Sequence, residues 1–169
     1  QSVIVTNEKV KTNPNISMTG GDENYLVQNG YTLNVGRNFN QLDVQSGRSI
    51  CILGNSVAQK LFGDDTRRAI DQIIKADGVK YRVIGVLKDK GSSAFFNADN
   101  IVLTTYNNIR RLFPTDGISY NIGVMVNDIS QLEAAISEAT GVFRPIRKIA
   151  VDEAANFYIN KSDSIAEVF

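Results

Sequence analysis

Few residues in this chain have the means to do chemistry, and they are scattered. There is no histidine, so the commonest general base is missing, and Cys51 is the only cysteine. A thiol nucleophile needs a base beside it. One thiol makes neither an internal disulfide nor a zinc site. Cys51 lies in the apolar run Ser49-Ile50-Cys51-Ile52-Leu53 and reads as a buried free thiol in a strand. Gly91-Ser92-Ser93, near Lys88 and Lys90, invites comparison with a phosphate cradle. It lacks the Gly-x-x-x-x-Gly-Lys-Ser/Thr order and a strand-to-helix setting, so a surface loop is the simpler reading. Asp64-Asp65 and Asp152-Glu153 lack the spacing of an EF-hand and read as solvated loop acids. Arg67-Arg68, Arg110-Arg111 and the basic residues from Arg144 to Lys148 are either a face for lipid headgroups or an acidic partner, or ordinary wet helix faces. An enzyme therefore has little support, although a Ser–Lys or two-carboxylate site stays open in principle. No catalytic residue, metal ligand or cofactor-binding residue is assigned.

The feature that reads as a contact is the polar loop from Lys88 to Asn100. It carries Gly91, Ser92 and Ser93, then two adjacent aromatic residues, Phe95 and Phe96. Either the two rings are exposed anchors for a partner, or they fold back onto the core.

The elements that must hold such a loop are legible from spacing. Residues 2–12 alternate and are rich in Val, Ile and Thr, and Asn13-Pro14-Asn15 turns them toward Ile16–Thr19, which predicts a hairpin. Asp22 caps a short helix over 23–28, and 31–39 is expected to be irregular, with Gly36 at a turn. A strand over 49–53 leads to a helix from Ser56 to Phe62 that Gly63 stops in the left-handed region. Asp77-Gly78 joins strands near 72–75 and 79–86, and only the start of 66–76 is read as helical. Short elements follow: a strand at 101–103, a helix over 105–113 stopped by Pro114, and a strand over 118–126. Ser130-Gln131-Leu132-Glu133 reads as a capping box for a helix ending at Gly141. A strand at 156–160 and a helix from Ser162 complete a strand–helix–strand unit.

Composition narrows the class. The chain has 169 residues, 43% apolar and 21% charged, as a folded globular protein has. Its 18 basic and 18 acidic side chains cancel, and a nucleic-acid binder usually carries a basic excess. No apolar run reaches the roughly 18 residues of a membrane span. Gln1 opens on a strand-like stretch and Phe169 falls inside a helical pattern, so both ends read as cut points within a longer protein.

Six short motifs then stand in a telling order: Gly36-Arg37-Asn38-Phe39, Ile52-Leu53-Gly54-Asn55, Lys60-Leu61-Phe62-Gly63, Val83-Ile84-Gly85-Val86-Leu87, Lys90-Gly91-Ser92-Ser93 and Arg110-Arg111-Leu112-Phe113. Together they resemble the MacB-like periplasmic core domain of ABC-transporter permeases, in the superfamily of MacB, FtsX and LolC. The resemblance is best from Tyr25 to Phe113. Phe157-Tyr158-Ile159-Asn160 and the residues after Ser164 resemble the strand and helix leading to the second membrane helix. One departure is Ala69-Ile70-Asp71-Gln72, where many relatives have Pro-x-Gly-Lys.

The resemblance implies an α+β fold. A βαβ-type, membrane-proximal subdomain would cover 1–35 and 105–169, lacking part of its N-terminal side, and an inserted β-rich subdomain would cover 36–104. It implies a non-catalytic periplasmic domain between two membrane helices of an inner-membrane protein. That domain would couple cytoplasmic ATP hydrolysis to periplasmic movement and dock an adaptor protein for efflux. Its partners would be a second permease copy, the adaptor and a cytoplasmic ATP-binding domain, with no nucleic acid and no cofactor. Sister functions are lipoprotein release and control of cell-wall hydrolases, and a stand-alone periplasmic binding module is the alternative outside the family. The isolated chain is expected to be a monomer.

Overall fold

The computed structural model describes residues 2–7, 9–12, 15–90, 99–113 and 120–161. The chain divides into two compact units, residues 1–122 and 123–169.

The described strands of the first unit form one sheet of eight: β1 (Ser2–Val3), β2 (Val5–Thr6), β3 (Ile16–Gly21), β4 (Leu33–Gly36), β5 (Ile50–Leu53), β6 (Ile73–Ala76), β7 (Val79–Leu87) and β8 (Ile101–Thr105). Their order is β1-β3-β8-β5-β7-β6-β2, with β4 on β7. Ser2 and Val3 pair antiparallel with β3 at one end of that order, and Val5 and Thr6 pair antiparallel with β6 at the other. Only Ile4 separates them: its carbonyl accepts from the Asp77 N–H at 3.2 Å, and its own N–H donates to Asp77 Oδ1 at 3.3 Å. A single segment thus bridges both ends of a curled sheet, leaving no long free edge there. The sheet takes strands from both sides of residue 35.

Both faces of the central strands are buried. Cys51 and Leu53 point into a core with Val57, Ala58 and Leu61, whereas Ile50 and Ile52 point into a second core with Phe39, Val44 and Leu103. This is why 50–53 is a continuous apolar run and not an alternating one. In β7 the alternation is broken: Tyr81, Val83 and Val86 face the first core, Ile84 and Leu87 the second. The register against β5 shifts between Cys51 and Ile52, so one extra residue is accommodated in β7 near Gly85, a β-bulge. β5 and β7 run parallel, joined through helix α3 (Asn55–Phe62) and β6, a βαβ relation.

The fold is the expected α+β class, and several elements lie where the spacing puts them. The Asp77-Gly78 turn has φ of +49° and +82°, the primed hairpin geometry. Thr105 caps α4 (Tyr106–Leu112) through its hydroxyl, which accepts from the Asn108 N–H. Other elements differ. The first helix, α1 (Tyr25–Gln28), starts later than expected, and Asn24 occupies its N-cap while the Asp22 carboxylate accepts from the Asn24 N–H. Residues 33–36 are a strand, and α2 (Gln41–Ser46) follows where no helix was expected. Gly54, not Ser56, precedes α3, and Gly63 ends it with φ +86° outside the left-handed helical well.

In the second unit, α5 (Leu132–Ile146) runs through Gly141, where a glycine in an exposed helix costs only about 1 kcal/mol. No Ser130–Glu133 capping box forms. The Asp128 carboxylate accepts from the Ser130 N–H instead, and the Glu133 carboxylate pairs with Lys161. Residues 120–126 and 156–160 form no strand, and among the described residues neither stretch pairs with a strand of the sheet. The expected strand–helix–strand unit around α5 is therefore not seen. Phe143 and Phe157 pack ring against ring, 5.6 Å apart, and the Arg144 guanidinium donates to the carbonyls of Ala150 and Glu153 at 2.6 Å.

Candidate functional site

A cleft of about 580 Å³ opens in the first unit beside β7. Its walls come from five places in the chain: Gly36 and Arg37 after β4, Asp43 in α2, Arg48 to Ile50 entering β5, Ile70 and Asp71 before β6, and Arg82 and Ile84 in β7.

The Gly36-Arg37-Asn38-Phe39 motif builds one wall. Gly36 has φ +84°, and a Cβ there would lie 2.2 Å from the Ile84 carbonyl oxygen. Only glycine lets the two backbones approach this closely. The Arg37 N–H then donates to that Ile84 oxygen at 3.0 Å, and Phe39 drops into the second core. Asn40 caps α2 in a reciprocal box with Asp43: the Asn40 side chain accepts from the Asp43 N–H at 2.8 Å, and the Asp43 carboxylate accepts from the Asn40 N–H at 3.1 Å. Arg37 Nη1 also donates to Asp43 Oδ2 at 2.6 Å, and the Asp43 side chain is only 2% exposed. Burial by itself raises the Asp43 pKa, but the hydrogen bonds from Arg37 and Asn40 and the charges of Arg37 and Arg48 outweigh it, so the carboxyl is held below the usual range.

Arg48 acts on Asp43 through its charge but without an ion pair, and Arg82 lines the same cleft. Both are exposed, and among the described residues neither side chain makes a hydrogen bond or ion pair. Asp71 shares the cleft in the left-handed region, at φ +64°. Of the arginine pairs singled out in the sequence, one member of each is tied, while Arg68 and Arg110 are exposed. Arg67 is tied to Asp65 at 2.9 Å, and Arg111 donates to the Gly47 carbonyl at 2.8 Å. Spacing could not reveal the Arg37, Arg48 and Arg82 grouping, though the Asn-x-x-Asp pattern at 40–43 was a usable sign of α2.

Gly91, Ser92, Ser93, Phe95 and Phe96 lie outside the described residues. The stems on either side are described, and they are pinned. The Lys90 N–H donates to Asp99 Oδ1 at 3.1 Å, its ammonium donates to the Asn29 carbonyl at 2.6 Å, and it sits 4.1 Å over the Tyr31 ring. A Cβ on Gly54 would meet the Asp99 carbonyl oxygen at 2.3 Å. Burial, then the neighbouring Asp89, pushes the Asp99 carboxyl up, while the Lys90 N–H pulls it down without prevailing.

The other reactive groups are structural. Cys51 is fully buried, and burial pushes its thiol far up. Tyr81 is buried, its hydroxyl donates to Asn108 Oδ1 at 2.9 Å, and desolvation raises its pKa to about 12. Among the described residues no group of His, Cys, Asp or Glu has the arrangement of a metal site, and no helix is long and apolar enough to cross a membrane.

The chain matches the family model of the MacB-like periplasmic core domain over residues 1–142. It belongs to that family. This MacB-like core domain is 30% identical over 148 residues to a macrolide export ATP-binding/permease protein of Chlorobaculum tepidum, covering 85% of the chain and 22% of that protein. It is 32% identical over 121 residues to a pyoverdine export ATP-binding/permease protein of Pseudomonas syringae pv. tomato, covering 69% of the chain and 18% of that protein. The chain thus spans about a fifth of the length of these relatives. The fold is that of the periplasmic region of MacB from Actinobacillus actinomycetemcomitans, with a TM-score of 0.77 at 20% identity over 99% of this chain and 71% of that one. The extracellular domain of the transporter YknZ, from Gram-positive bacteria, superposes with a TM-score of 0.71 at 22% identity, over 89% of the core domain and 73% of its own length.

Proposed function

We propose that this MacB-like core domain is the periplasmic part of an ABC-transporter permease that works in export. It has no catalytic role of its own. It transmits movement driven by a separate cytoplasmic ATP-binding domain, as one of two permease copies, and it docks a periplasmic adaptor. The observation that carries this reading is the family match over residues 1–142 together with a fold likeness covering 99% of the chain. Relatives named for macrolide and pyoverdine export favour export over lipoprotein release or hydrolase control. Coupling of this kind is a shift between two packed states biased by a distant ligand, and asks no residue here for a perturbed pKa. The expectation that 1–35 and 105–169 stand nearest the membrane belongs to the same proposal.

Adaptor docking is assigned to the loop carrying Gly91, Ser92, Ser93, Phe95 and Phe96, which follows Lys90 and precedes Asp99. The test is a pull-down of the chain with the adaptor protein encoded beside its gene, repeated with Phe95→Ala/Phe96→Ala. Binding that weakens in the double variant supports both statements. Binding that survives it moves the docking surface elsewhere. Recovery of a lipoprotein or a cell-wall hydrolase in place of the adaptor replaces export by a sister function.

A further inference from the structure

We propose that the cleft beside β7 is a carboxylate-binding site, and that Arg48 and Arg82, with the outer edge of Arg37, take an acidic side chain of a partner protein there. Three guanidinium groups line the cleft against two carboxylates. The two carboxylates are not equivalent. Asp43 is turned inward and held through Oδ2 by Arg37 Nη1 and by the Asn40 N–H, and its side chain is 2% exposed. It neutralises part of Arg37 and presents little surface to the solvent. Asp71 is exposed and forms no ion pair with Arg48 or Arg82 within 4.0 Å.

The positive charge facing the solvent therefore exceeds the negative, in a chain whose overall formal charge is zero. Arg37 spends Nη1 on Asp43 and on the Asn38 carbonyl, and its Nε and Nη2 donate to nothing among the described residues. Its side chain remains 51% exposed. A guanidinium held in place by one carboxylate, with its other edge free, is preorganised for a second. Asp71 at φ +64° puts one backbone conformation that is uncommon for a non-glycine residue on the rim of the cleft. The half-buried Ile70 supplies apolar wall beside the charges, which suits the stem of a Glu or Asp side chain on a peptide. The inference is independent of adaptor docking through 91–96, because it concerns other residues and is read on the isolated chain.

The experiment is a titration of the nitrogen-15-labelled chain with hexaglutamate, followed by the amide and arginine Nε–H resonances. Shifts are expected to centre on Arg37, Arg48 and Arg82 and to weaken with added salt. Arg48→Glu/Arg82→Glu should reduce affinity at least tenfold, and Arg48→Gln/Arg82→Gln should also reduce it without reversing charge. A control, Arg68→Glu/Arg110→Glu, changes the same net charge at exposed positions elsewhere and should leave binding unchanged. Equal loss in the control, or shifts spread over all basic residues, would overturn the site. Inorganic phosphate shifting the same three arginines while hexaglutamate does not would also overturn the proposal, in favour of a small-anion or headgroup site.

Discussion

Helices α3 and α5 are a matched pair in sequence and opposites in structure. Both are amphipathic, and α5 is the longer, with 15 residues against eight. In α3, Val57, Ala58 and Leu61 are at most 4% exposed, because the helix lies over the sheet and fills its first core. In α5 no residue is buried, and Val142 and Ile146 stay 52% and 67% exposed. Hydrophobic periodicity states that a helix has a face to bury. Whether a surface meets that face is a property of the surrounding fold. The same contrast separates the two units: the first is held by a sheet whose central strands are buried on both faces, whereas the contacts of the second include the Phe143–Phe157 rings, the Arg144 carbonyl clasp, the Arg147–Asn156 bond and the Lys161–Glu133 pair.

The largest expected effect tests the first unit at its tightest point. Gly36→Ala puts a Cβ 2.2 Å from the Ile84 oxygen and 2.7 Å from the Gly85 Cα, at a φ that side chains avoid. It should destabilise by about 3 kcal/mol or more in urea unfolding. A variant as stable as the parent would show that β4 and β7 are not this close.

Next, Leu61→Ala in α3 should cost about 2–4 kcal/mol, the range for a truncated buried leucine. Val142→Ala in α5 should cost under about 0.5 kcal/mol, as exposed substitutions do. Equal costs would erase the contrast between the two helices and mean that α5 has a partner in solution.

Asp43→Ala removes the partner of Arg37 and half of the capping box at once, for about 1–3 kcal/mol. Because the folded pKa of Asp43 is lowered, its contribution is complete above the ordinary carboxylate pKa and is lost as pH falls through the lowered value. The parent should therefore lose stability in acid more steeply than the variant, measured as Tm against pH.

The smallest effect has the opposite sign. The Asp99 pKa is raised, so the native state binds its proton more tightly than the unfolded chain does. Stability from this group declines as pH rises from the ordinary carboxylate pKa through the raised one. Asp99→Asn keeps an acceptor for the Lys90 N–H and should raise Tm at neutral pH, with no gain at pH values below the ordinary carboxylate pKa. A lower Tm at neutral pH would mean that the carboxylate charge is favourable where it stands.

Short-range chemistry made much of this legible. Asp77-Gly78 can satisfy two positive φ values, so the β6–β7 hairpin is readable from two residues. The order of six short motifs carried the family. The strand at 33–36 was missed because it is four residues long and its register shifts between Leu33 and Val35. The strands expected over 118–126 and 156–160 rest on local sequence, which names no neighbour for a strand to pair with.

The sequence by itself determined the elements whose geometry is local, the Asp77-Gly78 hairpin and the helix α3 that stops at Gly63, together with the buried fate of Cys51 and the absence of histidine chemistry. Only the tertiary structure decided which distant residues meet. It bridged both ends of the sheet with residues 2–6, and it gathered Arg37, Arg48 and Arg82 from three separate elements into one cleft. The physical reason is range. Turns and caps are settled by bonds within a few residues, whereas strand order and clefts are settled by burial, which is indifferent to separation along the chain.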